Sequence, residues 1–333
     1  MPSLRDRLQR RWYASTPPAA LRPLSRVFGW IVAFRRWRLQ RTAQRLRVPV
    51  IVVGNIAVGG TGKTPVAIWL LEHLRDAGWK PGLIARGYGG RAPAYPLRVT
   101  SDTPVEHCGD EPLLIALRTG APVTVAPDRV AAGRAMLRSD DVDIVVTDDG
   151  LQHYRLARDL EICVVDGRRG LGNGALLPAG PLREPPSRLQ EIPLVIVNGG
   201  FSALEHPGRI DMQLEPAGVV ALRDATRSTL ADWHGRRVHA VAGIGHPERF
   251  FEVLSGQGIE LILHPYPDHY AYADGELDFA DELPVLMTEK DAVKYRPWAT
   301  GLHHMVPVRA RFNADAITLV QQSLAALKPP PKH

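Results

Sequence analysis

Lys63 and Thr64 close the run Gly59-Gly-Thr-Gly-Lys-Thr64, the combination of residue types in this chain best suited to hold phosphate. A glycine-rich turn lets the backbone N–H groups of Gly59, Gly60, Thr61 and Gly62 converge on one anion. A lysine at its end can reach the outer phosphates of a nucleoside triphosphate, and the Thr64 hydroxyl can hold Mg²⁺. Ala57 stands where the strict pattern has glycine, so the match is to the relaxed form that admits alanine. Residues 48–53 are a continuous apolar run of the kind a buried parallel strand shows. Residues 65–74 are apolar at helical spacing, with Pro65 in the first turn. Strand, loop and helix arrive in the order a phosphate cradle requires, and the chain is expected to bind a nucleoside triphosphate.

Five further sets of polar residues could do chemistry. Asp148 and Asp149 follow the apolar run 143–146, where a phosphate-loop enzyme places its second Mg²⁺-holding element. Adjacent acids cannot point the same way, so one should lie nearest the metal and the other act through water or a neighbour. Asp110, in Gly109-Asp-Glu-Pro112, stands before the helical run 113–117 and reads as an N-cap; its alternative is a base that takes or orients the proton of an attacking hydroxyl. His269 is a lone histidine in the loop Pro265-Tyr-Pro-Asp-His-Tyr270. Arg86, Arg183 and Glu184 fall in loops rich in glycine or proline, with surface placement as their default. Thr288-Glu-Lys-Asp291 has capping-box spacing. It also resembles the base-reading element of GTPases, but its lysine comes one place late and the cap is favoured.

The elements that must position these residues alternate. Strand-like runs at 82–85, 123–126, 143–146, 162–165 and 194–197 are interleaved with helical patterns such as 128–138, which predicts a parallel sheet covered by helices on both faces. Ligands on such sheets sit at the carboxyl ends of the strands. Periodicity fades over 205–235, and runs at 238–242, 247–254, 261–263 and 285–287 begin a second α/β series. The expected organisation is a basic arm over 1–47, a phosphate-loop core over 48–216, and a smaller α/β domain over 217–333. The prolines at 329–331 mark a frayed tail.

A chain of 333 residues, 45% hydrophobic, has material for one large or two medium domains. Cys108 and Cys163 are too few for a disulfide scaffold and lack metal-ligand spacing, which leaves them as buried thiols in a reducing compartment. The net charge of +6 is unevenly spread: residues 1–47 carry twelve arginines against one acid, Asp6, a net +11, so the remainder sums to −5. Within that arm the apolar residues 27–34 run straight into Arg35-Arg-Trp-Arg38. The run is too short to span a bilayer, which takes about twenty residues, and no small-residue cleavage site follows it. An arginine-rich helix bearing Phe28, Trp30, Phe34 and Trp37 suits the surface of an anionic membrane; the alternative is a helix docked on its own domain with a solvated basic face. No nucleic-acid motif accompanies the charge.

Taken together, residues 53–65, Arg86-Gly-Tyr-Gly-Gly90, Gly109-Asp-Glu-Pro112, Asp148-Asp-Gly-Leu-Gln-His153, Leu182-Arg-Glu-Pro185, Pro267-Asp-His269 and Thr288-Glu-Lys-Asp-Ala-Val-Lys294 resemble the tetraacyldisaccharide 4′-kinase family of Gram-negative bacteria. Ala57 replaces a common threonine and Leu151 a common phenylalanine, and both changes spare the polar atoms of the motifs. The resemblance implies transfer of the ATP γ-phosphoryl to the 4′-hydroxyl of a tetraacyldisaccharide 1-phosphate, giving lipid IVA in lipid A biosynthesis. It also implies Mg²⁺ as cofactor, and a peripheral enzyme at the cytoplasmic face of the inner membrane with no obligate protein partner. It gives Asp110 the role of base, His269 that of its partner, Asp148 and Asp149 the metal side, and Arg86, Arg183 and Glu184 places lining the substrate cleft. Another class fits the phosphate loop alone: a membrane-associated regulatory P-loop ATPase. Residues 58–64 resemble the loop of deviant Walker ATPases, but Val58 stands where those proteins carry a signature lysine, which counts against that class.

Overall fold

The computed structural model describes residues 11–14, 16–200 and 203–327. The first ten residues of the basic arm and the proline-rich tail lie outside them.

The first unit is built on a nine-stranded sheet. In chain order its strands are β1 (Val50–Gly54), β2 (Pro81–Ala85), β3 (Leu97–Val99), β4 (Val123–Val125), β5 (Ile144–Thr147), β6 (Leu160–Asp166), β7 (Leu194–Asn198) and β8 (Arg209–Pro216). The second unit is a six-stranded sheet of β9 (Val219–Ala221), β10 (Arg227–Ser228), β11 (Arg237–Ala242), β12 (Glu260–Pro265), β13 (Val285–Thr288) and β14 (His303–Val306). After it, β15 (Val308–Phe312) returns to the larger sheet and pairs antiparallel with β8. The order across the larger sheet is β15-β8-β7-β6-β1-β5-β2-β4-β3, and across the smaller β10-β9-β14-β13-β11-β12.

The helices are α1 (Arg22–Arg41), α2 (Lys63–Asp76), the short α3 (Val105–Cys108), α4 (Asp110–Thr119), α5 (Arg129–Ser139), α6 (Pro247–Ser255), α7 (Glu289–Tyr295) and α8 (Ala314–Ala325). Period-two alternation of side chains decides which helix covers which face of the larger sheet. Ile51 and Val53 of β1 enter a core shared with α2, α4 and α8, whereas Val50 and Val52 enter one shared with α5. Because both faces are covered, β1 is buried along its whole length.

Two expectations are corrected. The larger sheet is parallel from β8 to β4, but both its edges, β3 and β15, are antiparallel. The chain beyond 217 is not a single series: β15 joins the larger sheet and Ala316, Val320 and Leu324 of α8 pack into its core. The apolar positions of α8 need an unfilled sheet face, and the α2 side of the larger sheet supplies one.

α1 is attached by its small and polar residues. Ser25 Oγ donates to the Leu176 carbonyl and accepts from Ala179 N–H, a Cβ on Gly29 would stand 2.9 Å from Leu176, and Arg35 and Arg36 reach Gln152 and Glu191. The apolar side chains Leu24, Val27, Trp30, Ile31, Phe34 and Trp37 point to solvent instead, Trp30 being 76% exposed. A docked helix normally buries such residues, so α1 presents the face that a soluble surface would hide. Among the described residues, no helix is long and apolar enough to cross a membrane.

Candidate active site

The polar residues of interest gather where the larger sheet's parallel strands end. β1 leads into the loop whose turn is set by Gly59 and Gly62, at φ 106° and 94°, conformations that favour glycine. A Cβ at Gly62 would also stand 2.7 Å from the Asn198 amide. The loop is held from outside by side chains at other strand ends. Asn198 Nδ2 donates to the Thr61 carbonyl at 3.1 Å, Asn55 Nδ2 to the Gly59 carbonyl at 3.2 Å, and Arg169 to the Gly60 carbonyl. Arg169 is fixed in turn by the buried Asp166, which also takes Arg249 from α6 of the second unit at 2.8 Å. Lys63 and Thr64 occupy the first two positions of α2, with their loop amides at the positive end of its dipole.

The two acids after β5 separate as expected of neighbours. Asp149 turns into the left-handed region at φ 49° and meets Lys63 at 3.6 Å and Arg183 at 3.3 Å. Burial raises its pKa, but Lys63 and then Arg183 outweigh burial and hold it below the ordinary carboxylate value. Asp148 stays inside, 4% exposed, with Oδ1 lacking a hydrogen-bond partner. Burial, then the charge of Glu111, push its carboxyl up to about 7. A buried carboxylate oxygen without a donor, in the field of Lys63, is an oxygen environment a hard cation completes. Among the described residues no three acids, histidines or thiols converge as a metal cage. Mg²⁺ takes one or two carboxylates and draws its other ligands from water and phosphates.

Asp110 is not the helix cap. Gly109, at φ 84°, occupies the cap position of α4, and Asp110 is the first helical residue. Its Oδ1 accepts from Glu111 N–H at 2.9 Å, and its Oδ2 lies 2.9 Å from His269 Nδ1, on a loop of the second unit. His269 adopts φ 59°, an uncommon conformation for a non-glycine residue, retained where the surroundings fix it. Burial pushes the Asp110 carboxyl up, but the His269 hydrogen bond and the Lys290, His269 and Lys294 charges leave it below the ordinary value. The bond to Asp110 raises His269 above its own ordinary value, burial notwithstanding. Together these shifts describe an ion pair.

The remaining expected residues divide. Arg86 is exposed at the end of β2 and adds repulsion to the buried Arg129. Arg183 faces Asp149 and lies 3.4 Å from Gln152. Glu184 departs from the surface placement expected of it: it is 1% exposed, accepts from Tyr154 Oη at 2.7 Å and pairs with Arg188 at 3.3 Å. A buried guanidinium and a hydroxyl both meet its Oε2, which offsets part of the cost of burying the charge, while Oε1 has no hydrogen-bond partner. Thr288 does cap α7, accepting from Asp291 N–H.

Sequence reasoning passed over Asn55, Asp166, Asn198, Glu111, Arg129 and Lys290. For the first three the signal was present, since each is a polar residue ending an apolar run that becomes a buried parallel strand. For Lys290 it was masked by the capping pattern around it.

Comparison with known proteins identifies the family. A family model described as Tetraacyldisaccharide-1-P 4′-kinase matches residues 18–325. A tetraacyldisaccharide 4′-kinase of Stutzerimonas stutzeri is 46% identical, over 98% of this chain and 99% of its own. One from Stenotrophomonas maltophilia is 48% identical over 96% of both. Among solved structures, the "apo" form of LpxK from Aquifex aeolicus in complex with ATP superposes with a TM-score of 0.79 at 27% identity, covering 92% of this chain and 98% of that one.

Proposed function

The chain belongs to the tetraacyldisaccharide-1-P 4′-kinase family, and from that premise we propose how its residues carry out the transfer. It is a kinase of lipid A biosynthesis, a phosphotransferase with an alcohol group as acceptor. In this reading ATP is the donor, a choice supported by the ATP complex of the Aquifex relative.

The amides of residues 59–62 and the Lys63 ammonium hold the β- and γ-phosphates. Thr64 and Asp148 would hold Mg²⁺, while Asp149 keeps Lys63 and Arg183 in place through its ion pairs. When bound, the cation would neutralise charge on the phosphates. The substrate's 4′-hydroxyl lies against Asp110. A bond forms from its oxygen to the γ-phosphorus as the bond to the β,γ-bridging oxygen breaks, and the hydroxyl proton passes to the Asp110 carboxylate. No phosphoenzyme forms. His269 donates to Asp110 and keeps its free lone pairs aimed at the incoming hydroxyl. Arg86 and Arg183 bring positive charge to the anionic acceptor, and Glu184 acts on the cleft through its neighbours.

The observation that carries this reading is the Asp110–His269 contact at 2.9 Å, made between the two units beside the phosphate loop. A dyad assembled from both units is complete only when the smaller one is closed, which excludes water and limits wasteful hydrolysis. The outward apolar face of α1 supports a second element of the proposal. An acceptor with four acyl chains stays in the bilayer, so the enzyme rests on the cytoplasmic face of the inner membrane with α1 in the headgroup layer.

The test is transfer of γ-label from ATP to a tetraacyldisaccharide 1-phosphate in mixed micelles containing Mg²⁺. Label at the 4′ position is expected; label appearing only as inorganic phosphate would overturn the mechanism.

A further inference from the structure

Lys290 has no part in the mechanism above, yet it stands at the seam on which that mechanism depends. It is the second residue of α7, in the smaller unit, and its Nζ pairs with Glu111 Oε1 of α4, in the larger one. The neighbouring pair runs the opposite way: Arg118 of α4 holds Glu289 of α7, whose other oxygen accepts from Val308 N–H at 3.0 Å. The first pair differs from the second in what lies next to it. Glu111 follows Asp110 directly and donates its N–H to the Asp110 carboxylate.

We propose that Lys290 is a positioning residue of the phosphoryl transfer: by neutralising Glu111 across the seam between the units, it keeps the adjacent Asp110 carboxylate ionised and free to take the hydroxyl proton. The proposal rests on the reading of Asp110 as the base.

The charge inventory explains why a cation is needed there. Asp110 is faced by His269 from the loop of the second unit, by Lys290 and Lys294 from α7, by Glu111 from its own helix and by the Cys108 thiol just before it. Lys294 is already committed, lying 2.8 Å from the buried Asp291. Lys290 feels Glu111, Asp110 and Asp268 together, and those charges raise its pKa against the effect of burial. Glu111 in turn is held below its ordinary value, burial being outweighed first by Lys290 and then by Lys63. Without the Lys290 charge, the Asp110 and Glu111 carboxylates, together with the buried Asp148 that faces Glu111, would be left with less compensating positive charge, which raises the pH at which Asp110 takes up a proton. Lys290 and His269 both come from the smaller unit, so the closure proposed above would deliver them together.

The experiment is the pH dependence of kcat/KM for lipid phosphorylation in the full-length protein, which reports the groups of the free enzyme. In Lys290→Gln, which keeps a polar side chain and loses the charge, the acid limb is expected to move up by about one pH unit. On that limb activity then falls about tenfold relative to wild type while the alkaline plateau changes less. Lys290→Arg should restore the wild-type limb, a rescue that loss of packing would not show. If Lys290→Gln does not fold, Glu111→Gln carries the test, because removing the neighbouring negative charge should move the limb the other way, to lower pH. An unmoved limb in Lys290→Gln, or in Glu111→Gln, would overturn the proposal. Asp110→Asn separates this failure from that of its premise: if Asp110→Asn abolishes turnover and Lys290→Gln leaves the limb in place, only the role of Lys290 falls. If Asp110→Asn keeps its turnover, the base assignment and this proposal fall together.

Discussion

Asp110 and His269 are separated by 159 positions in the sequence and by one hydrogen bond in the fold. Neither residue type, taken alone, distinguishes a catalytic group from a cap or an ordinary loop histidine. Only the return of the chain through the second sheet brings them together, so motif resemblance could nominate the pair but spacing could not derive it. Their coupled charges have a definite pH signature. His269 is raised, so its share of the pair's stabilisation is complete below the unfolded value of 6.5 and is lost as pH rises through the folded value. Asp110 is lowered, so its share is present above 3.8 and is lost as pH falls through its folded value. Replacing His269 by glutamine should therefore lower stability by ~1–2 kcal/mol at pH 6 and by much less at pH 9, as read from denaturant midpoints. An equal loss at both pH values would mean that the pair is not ionic.

Elements were more legible than residues, and the phosphate loop most of all. β1 was visible because both its faces are buried, which makes the sequence continuously apolar. The loop was visible because its backbone conformations need glycine. Substituting Gly62 by alanine puts a side chain at φ 94° and against Asn198, so stability should fall by about 1–3 kcal/mol and nucleotide binding should weaken at least tenfold by calorimetry. Unchanged binding would show that the loop opens to accommodate the methyl group. The elements missed were those whose pattern is diluted by exposure or length. β8 does alternate, with Ile210 and Met212 buried between exposed neighbours, but its later positions are only half-buried. β15 is a five-residue edge strand with no fully buried side chain, and α8 finds its partner face only through the long-range return to the first sheet. Glu184 was misjudged for a related reason: the loop composition was read correctly, but Tyr154 and Arg188 had to be in place before a carboxylate could be buried there.

At the scale of the whole molecule, the proposed function asks three surfaces to cooperate: the phosphate loop, the face of the smaller unit that meets it and the apolar stripe of α1. The stripe belongs to the same body as the loop, tied through Ser25 to the Leu176 and Ala179 backbone, so docking on a membrane would fix the orientation of the active site as well. Trp30 and Phe34, 76% and 62% exposed, are its outermost aromatics. Replacing both with alanine should reduce co-sedimentation with vesicles containing anionic lipid by tenfold or more, since each buried aromatic contributes about 1.5–3 kcal/mol, while turnover on a detergent-dispersed acceptor changes little. Undiminished vesicle binding would return α1 to being a solvated scaffold helix. The regulatory-ATPase alternative does not survive family membership. The central claim is that a dyad shared between the units activates the 4′-hydroxyl, and it is tested most directly by single-turnover transfer of γ-label from ATP to the lipid, comparing wild type with Asp110→Asn at matched nucleotide saturation. The account predicts a rate lower by about 10²-fold or more with ATP affinity within about threefold of wild type; a near-normal rate would contradict it and leave Asp110 as a first-turn helix acid.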